Sequence, residues 1–130
     1  MRIVALIARL LLGLIFLVFG LNGFLQFLNM GPMPTGIAGQ FLGALFQSHY
    51  LWVVAALQII GGVLLLVGRF VPLALALLGP VIFNILMYHL LMNPAGIALA
   101  LVVTVLWLIV FYAYRGYFSG IFVSNATPVC

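Results

Sequence analysis

Acidic residues are missing from this chain: none of its 130 residues is Asp or Glu, and its four cationic side chains are all Arg. Charged residues make up 3% of the sequence, whereas a soluble domain carries about a quarter. So few charges cannot cover a water-facing surface, which places the protein in a membrane. Cysteine is nearly absent too. Cys130 stands alone, which excludes an internal disulfide framework, a CxxC redox pair and a thiolate zinc site. Histidine occurs only as His49 and His89, with no acidic or thiolate neighbours to complete a metal site. A phosphate-binding loop and a nucleophile–base pair are likewise lacking, so nothing supports hydrolytic or phosphoryl-transfer chemistry. The +4 net charge forms no basic run along the sequence and gives no nucleic-acid footprint.

Long apolar runs fill the space these residues leave. Four are long enough to cross a hydrocarbon core, which takes about 20 helical residues, at positions 3–28, 50–67, 71–91 and 96–114. No period-2 alternation suggests a barrel. The sequence predicts an all-α membrane protein, a bundle of four transmembrane helices forming one integral membrane domain over residues 1–130. The first run resembles a signal peptide in composition, but Arg9 interrupts it and no small-x-small cleavage site follows, so it reads as a retained helix. Between the first two spans, Gly31–Pro32 and Pro34 break the chain and Thr35 is placed to cap a new helix over 36–47. That segment reaches only ~18 Å, too short to span. Its large residues, Ile37, Phe41, Leu42, Leu45 and Phe46, share one side, predicting a helix in the interface with its bulky side in lipid. The tail over 115–130 is short, aromatic and Gly-containing, with little in it to hold it in place alone.

Arg2, Arg9, Arg69 and Arg115 all fall on one side of this topology, and the two other loops carry none. By the positive-inside rule both termini and Cys130 are cytoplasmic. Arg9 lies inside the first span and is expected to extend its guanidinium back to the headgroups. Tyr112, Tyr114 and Tyr117 suit an aromatic belt on that side, with Tyr50 and Trp52 on the opposite one.

Polar side chains within the spans are few. Counting 1.5 Å per residue brings Gln58 and Asn84 to a similar depth, about 10 Å below the outer surface. Asn22 and Gln26 approach the same layer from the first span, Tyr88 is one turn beyond Asn84, and His89 lies near the boundary. Ala55, Gln58 and Gly62 form a small-residue stripe that permits close packing. Pro80 removes the donor that the Ala76 carbonyl would otherwise receive and permits a kink. Amide pairs of this kind can simply join helices, and Gln58 and Asn84 are expected within reach of each other or of one shared polar group. Asn84 and His89 are ~140° apart around a helix, too far for one narrow packing stripe. That spread suits a cleft, where Asn22, Gln26, Gln58, Asn84, Tyr88 and His89 form a candidate site for a neutral quinone or lipid headgroup between the first three spans. All can donate hydrogen bonds, and none places an anion in lipid.

The runs "ARLLLGLIFLVFGLNGFLQF", "LQIIGGVLLLVGRFVPLALALLGPVIFNILMYHL" and "YRGYF" resemble the DoxX-like family of small four-helix membrane proteins. The resemblance implies kinship with the membrane subunit of a thiosulfate:quinone oxidoreductase and with membrane redox complexes. Where many relatives have an acidic residue before the Gly-Gly of the second span, this chain has Gln58, which leaves His89 and Tyr88 as intramembrane groups for any proton-coupled role. The expectation is an accessory or anchoring subunit of a quinone-linked redox complex in a bacterial inner membrane. It would encode no cofactor of its own, lie among lipids and other membrane subunits, and have no catalytic centre. The alternative is a purely structural subunit packed against a larger photosynthetic or respiratory assembly.

Overall fold

Apolar segments in lipid must satisfy their own backbone groups, and a helix does so within one segment. A computed structural model, which describes residues 1–29 and 31–129, shows these helices: α1 (Arg2–Leu25), α2 (Gly36–Gln47), α3 (Tyr50–Val67), α4 (Val71–Leu91) and α5 (Ile97–Ala113). Short 3₁₀ segments, Pro94–Gly96 and Arg115–Phe122, precede and follow α5. The described residues contain no strand. Cys130 lies outside them, and with it the expectation about where its thiol faces.

The spans run up and down, with α1 and α4 each packed between α3 and α5. The core along their axis is apolar throughout; Leu12, Phe16, Leu65, Leu75, Leu78 and Val110 are fully buried, and no buried polar or charged residue occurs among the described residues. At most 33% of any hydrophobic window is buried inside the bundle, so the remaining apolar surface faces lipid. The chain is an integral membrane protein with four spans and one additional short helix.

The closest packing is between α1 and α3. A Cβ on Gly62 would come within 2.7 Å of the Leu17 nitrogen and 2.8 Å of the Gly13 carbonyl oxygen. One on Gly20 would come within 3.0 Å of the Ala55 carbonyl oxygen. The two backbones touch, as small residues in membrane helices allow. Ala55 and Gly62 of the expected stripe therefore serve this contact. Packing between α3 and α4 uses another notch, in which Leu78 occupies the space beside Gly61.

Two details depart from the sequence reading. The first span ends at Leu25 rather than at 28, because Gln26 turns into the left-handed region at φ 51° and the Asn22 side chain takes up the Leu28 N–H. The tail, in turn, is anchored within the chain. Phe118 is buried and its ring centroid lies 4.9 Å from that of Phe111, which stacks on Trp107 at 5.0 Å. This aromatic column holds the 3₁₀ segment after α5 against the bundle.

All four arginines lie at one end of the bundle. The Arg9 guanidinium lies against Gly68, the left-handed residue that closes α3, where exposed carbonyls favour a cation.

The backbone contact gives a direct test. Gly62→Ala should destabilise the protein by about 1–3 kcal/mol, because the backbone atoms facing the new methyl cannot rotate away. Gly43→Ala in α2, where nothing lies within 4 Å, should be neutral or slightly stabilising. Denaturation of both variants in mixed micelles measures the difference, and equal stability would refute the contact.

Candidate functional site

A cavity of about 740 Å³ opens between α2, α3 and α4. Leu51, Val54 and Leu57 line it from α3, Val81 and Ile85 from α4, and Phe41, Leu42 and Leu45 from α2. Six polar side chains join these walls: Ser48 from the turn after α2, Tyr50 and Gln58 from α3, and Asn84, Tyr88 and His89 from α4. Predominantly apolar walls with a few placed polar groups, in a volume of roughly 300–1,000 Å³, are the usual form of a small-molecule pocket.

The α1–α3 contact produces one wall. With Ala55 and Gly62 turned toward α1, Gln58, about 40–60° round the helix from them, lies at the edge of that face and lines the cavity. Pro80 lines the cavity from α4. Asn84, one turn later, donates its amide to the Pro80 carbonyl oxygen at 2.8 Å, which leaves its own Oδ1 and second N–H for another partner. Gln58 and Asn84 thus share the cavity, but no hydrogen bond joins them among the described residues.

Tyr88 and His89 form the end of the cavity nearest the α4 C-terminus. The Tyr88 ring stacks on Phe41 of α2 at 5.6 Å and meets the His89 ring edge-on at 4.9 Å. His89 Nδ1 lies 3.0 Å from the Asn93 carbonyl oxygen. A carbonyl can only accept, so Nδ1 carries the proton and a neutral ring keeps Nε2 as an acceptor. The ring lies against Gly96, where a Cβ would have no room, so the 3₁₀ turn before α5 fixes its position.

Asn22 and Gln26 are not among the residues lining this cavity, and α1 forms no wall of it. In the register of the α1–α3 contact, Asn22 lies about one turn outward of Gln58. Its Oδ1 accepts from the Leu28 N–H at 2.8 Å, while the Gln26 N–H is bonded to the Asn22 carbonyl at 2.8 Å. The two residues close α1. Equal depth along the sequence did not mean a shared face.

The structure also changes the role of α2. Its bulky side was expected in lipid; Phe41, Leu42 and Leu45 line the cavity as its roof, while Ile37, Phe46 and part of Phe41 remain exposed. Trp107 is a further departure. Its Nε1 donates to the Leu75 carbonyl at 3.1 Å across the α4–α5 interface, and Gly79 makes room for the ring. An indole placed mid-span, away from either boundary, was the available signal, because its N–H requires an acceptor in lipid.

Fold and cavity together define a small helical integral membrane protein with a ligand-sized pocket beneath an amphipathic roof helix. The DoxX family model matches residues 4–90, and the chain belongs to that family. No curated protein and no solved structure matches it.

The closure of α1 can be tested apart from the pocket. Asn22→Ala should cost about 1 kcal/mol, since the Leu28 N–H loses its acceptor. Gln26→Gly should stabilise by a similar amount by relieving the left-handed strain of a side-chain-bearing residue. Opposite shifts in the denaturation midpoint are expected; shifts in the same direction would contradict this assignment.

Proposed function

We propose that this DoxX-family protein is an accessory or anchoring subunit of a quinone-linked redox complex, and that the α2–α3–α4 cavity receives a neutral quinone-like headgroup. The cavity carries this reading, since apolar walls, a roof that includes Phe41, and amide and hydroxyl groups match a ring bearing two oxygens. Gln58, Asn84 and the Tyr88 hydroxyl offer donors to quinone carbonyls. His89 Nε2 and the two amide oxygens offer acceptors to the hydroxyls of the reduced form. A lipid headgroup would use the same hydrogen-bonding groups. Without a redox centre of its own, the protein would position the ring and leave electron transfer to a partner subunit.

A bacterial inner membrane, with the arginine end in the cytoplasm, is the location that fits this role. Asn22 and Gln26, named above as candidate ligands, have no part in the proposed site.

A second reading, that of a purely structural subunit in a larger membrane assembly, draws support from local pairing. Asn84 and His89 are each already bonded to a carbonyl of their own helix or of the turn beyond it. Polar residues so satisfied need no ligand.

Quenching of Trp52 and Trp107 fluorescence by a short-chain quinone, with the full chain in detergent, distinguishes the two. The quinone reading expects saturable binding that Gln58→Leu/Asn84→Leu weakens about tenfold, the effect of losing two neutral hydrogen bonds. Unchanged affinity in that variant, or no binding by the natural sequence, would refute it. Migration with a larger complex on native gels in the absence of binding would favour the structural reading.

Orientation is tested separately by impermeant thiol labelling of intact cells, in a Cys130→Ser background. Thr35→Cys should react before lysis and Ser119→Cys only after it. The reverse order would invert the topology.

A further inference from the structure

A second cavity, of about 400 Å³, lies at the arginine end, between the start of α1 and the end of α5. It is lined by Arg2 and Arg9 from α1 and by Tyr112, Tyr114 and Arg115 from α5 and its continuation. Three of the chain's four arginines therefore converge on one concavity. The protein contains no Asp or Glu to neutralise them. We propose that this cavity binds a phosphate-bearing anion, the headgroup of an anionic phospholipid.

The arrangement is fixed from several sides. Arg115 donates to the Tyr112 carbonyl oxygen at 2.6 Å, and its guanidinium carbon lies 4.0 Å over the Tyr112 ring. The first contact covers a carbonyl at the α5 C-terminus, whose partial negative charge would otherwise repel an anion. The second holds the guanidinium plane against the ring. Arg9 reaches the cavity past Gly68, braced by the turn between α3 and α4. Each guanidinium presents five N–H donors in a planar fork matched to phosphate oxygens, and Arg115 uses one of them internally. The first turn of α1 adds backbone N–H groups and the positive end of its dipole.

The surroundings select a lipid over a free ion. Leu6 and Ala5 continue the cavity wall along α1, and Leu6, Ile3 and Tyr112 are exposed on the membrane-facing flank. A headgroup held by the arginines would have its acyl chains against this flank. Basic pockets between membrane helices at the headgroup level are suited to such lipids. Arg69 provides the internal control, because it lies at the same end but does not line the cavity.

Native mass spectrometry of the full chain in a non-ionic detergent tests the proposal. Phosphatidylglycerol and phosphatidylcholine with identical acyl chains are added at equal concentration. The natural sequence should retain phosphatidylglycerol about tenfold more than phosphatidylcholine. Arg2→Gln/Arg115→Gln, in which both replaced residues are exposed, should lose that preference, whereas Arg69→Gln should keep it. Equal retention of the two lipids by the natural sequence would overturn the proposal. Equal losses in Arg69→Gln and the double variant would overturn it too, since net charge alone would then explain the preference. Added inorganic phosphate should leave lipid retention unchanged; displacement at millimolar concentration would assign the cavity to a free anion and refute the lipid.

Discussion

Backbone-to-backbone contact between α1 and α3 is the constraint from which the rest of the structure follows. In lipid, helices gain no hydrophobic free energy by associating, so close van der Waals approach and interhelical hydrogen bonds must hold them. Gly13 and Gly20 facing Gly62 and Ala55 provide that approach. The contact fixes the rotation of α3, because its small residues must face α1. Once they do, Val54 and Leu57 turn away from α1 and, with Leu51 and Gln58 at the edge of the contact, form a wall of the cavity. The same rotation presents Gly61 to Leu78 and so sets the place of α4.

Polar side chains within the spans follow one tendency. With no carboxylate in the chain, most that are paired find their partner in a backbone carbonyl, Asn22 and Tyr88 being exceptions that accept from the Leu28 N–H and the Asn93 side chain. Asn84 uses that of Pro80, Thr104 that of Ala100 and Trp107 that of Leu75, while His89 is held by Asn93. Three of these bonds are local to one helix or its end, and the Trp107 bond alone joins two spans. Such pairing satisfies the groups without fixing their contacts in the core, which is wholly apolar among the described residues. It leaves part of the hydrogen-bonding capacity of Asn84 and His89 uncommitted, on the side where the cavity opens.

The family match and the cavity coincide along the chain. Residues 4–90 include every residue that lines the α2–α3–α4 cavity, from Phe41 to His89. The cavity at the arginine end, by contrast, depends on Tyr112, Tyr114 and Arg115, beyond the matched residues. The two cavities also differ in chemistry: one is walled mainly by apolar side chains and holds no arginine, the other is cationic and edged by tyrosines.

The sequence by itself determined the membrane setting, the four spans, the short helix between the first two and the gathering of arginine at one end. These follow from hydropathy, length and charge along the chain, which are local properties. It also brought Gln58, Asn84, Tyr88 and His89 together, because counting residues from each boundary estimates depth. Only the tertiary structure decided which faces meet. Asn22 and Gln26 approached the same depth but close α1, since depth along a helix says nothing of its rotation. Phe41 and Leu45 line a cavity that the sequence did not announce, because a hydropathy pattern treats lipid and an apolar cavity alike. The convergence of Arg2, Arg9 and Arg115 arises from α1 and α5 packing side by side. That packing joins residues more than a hundred positions apart and is written in no local pattern.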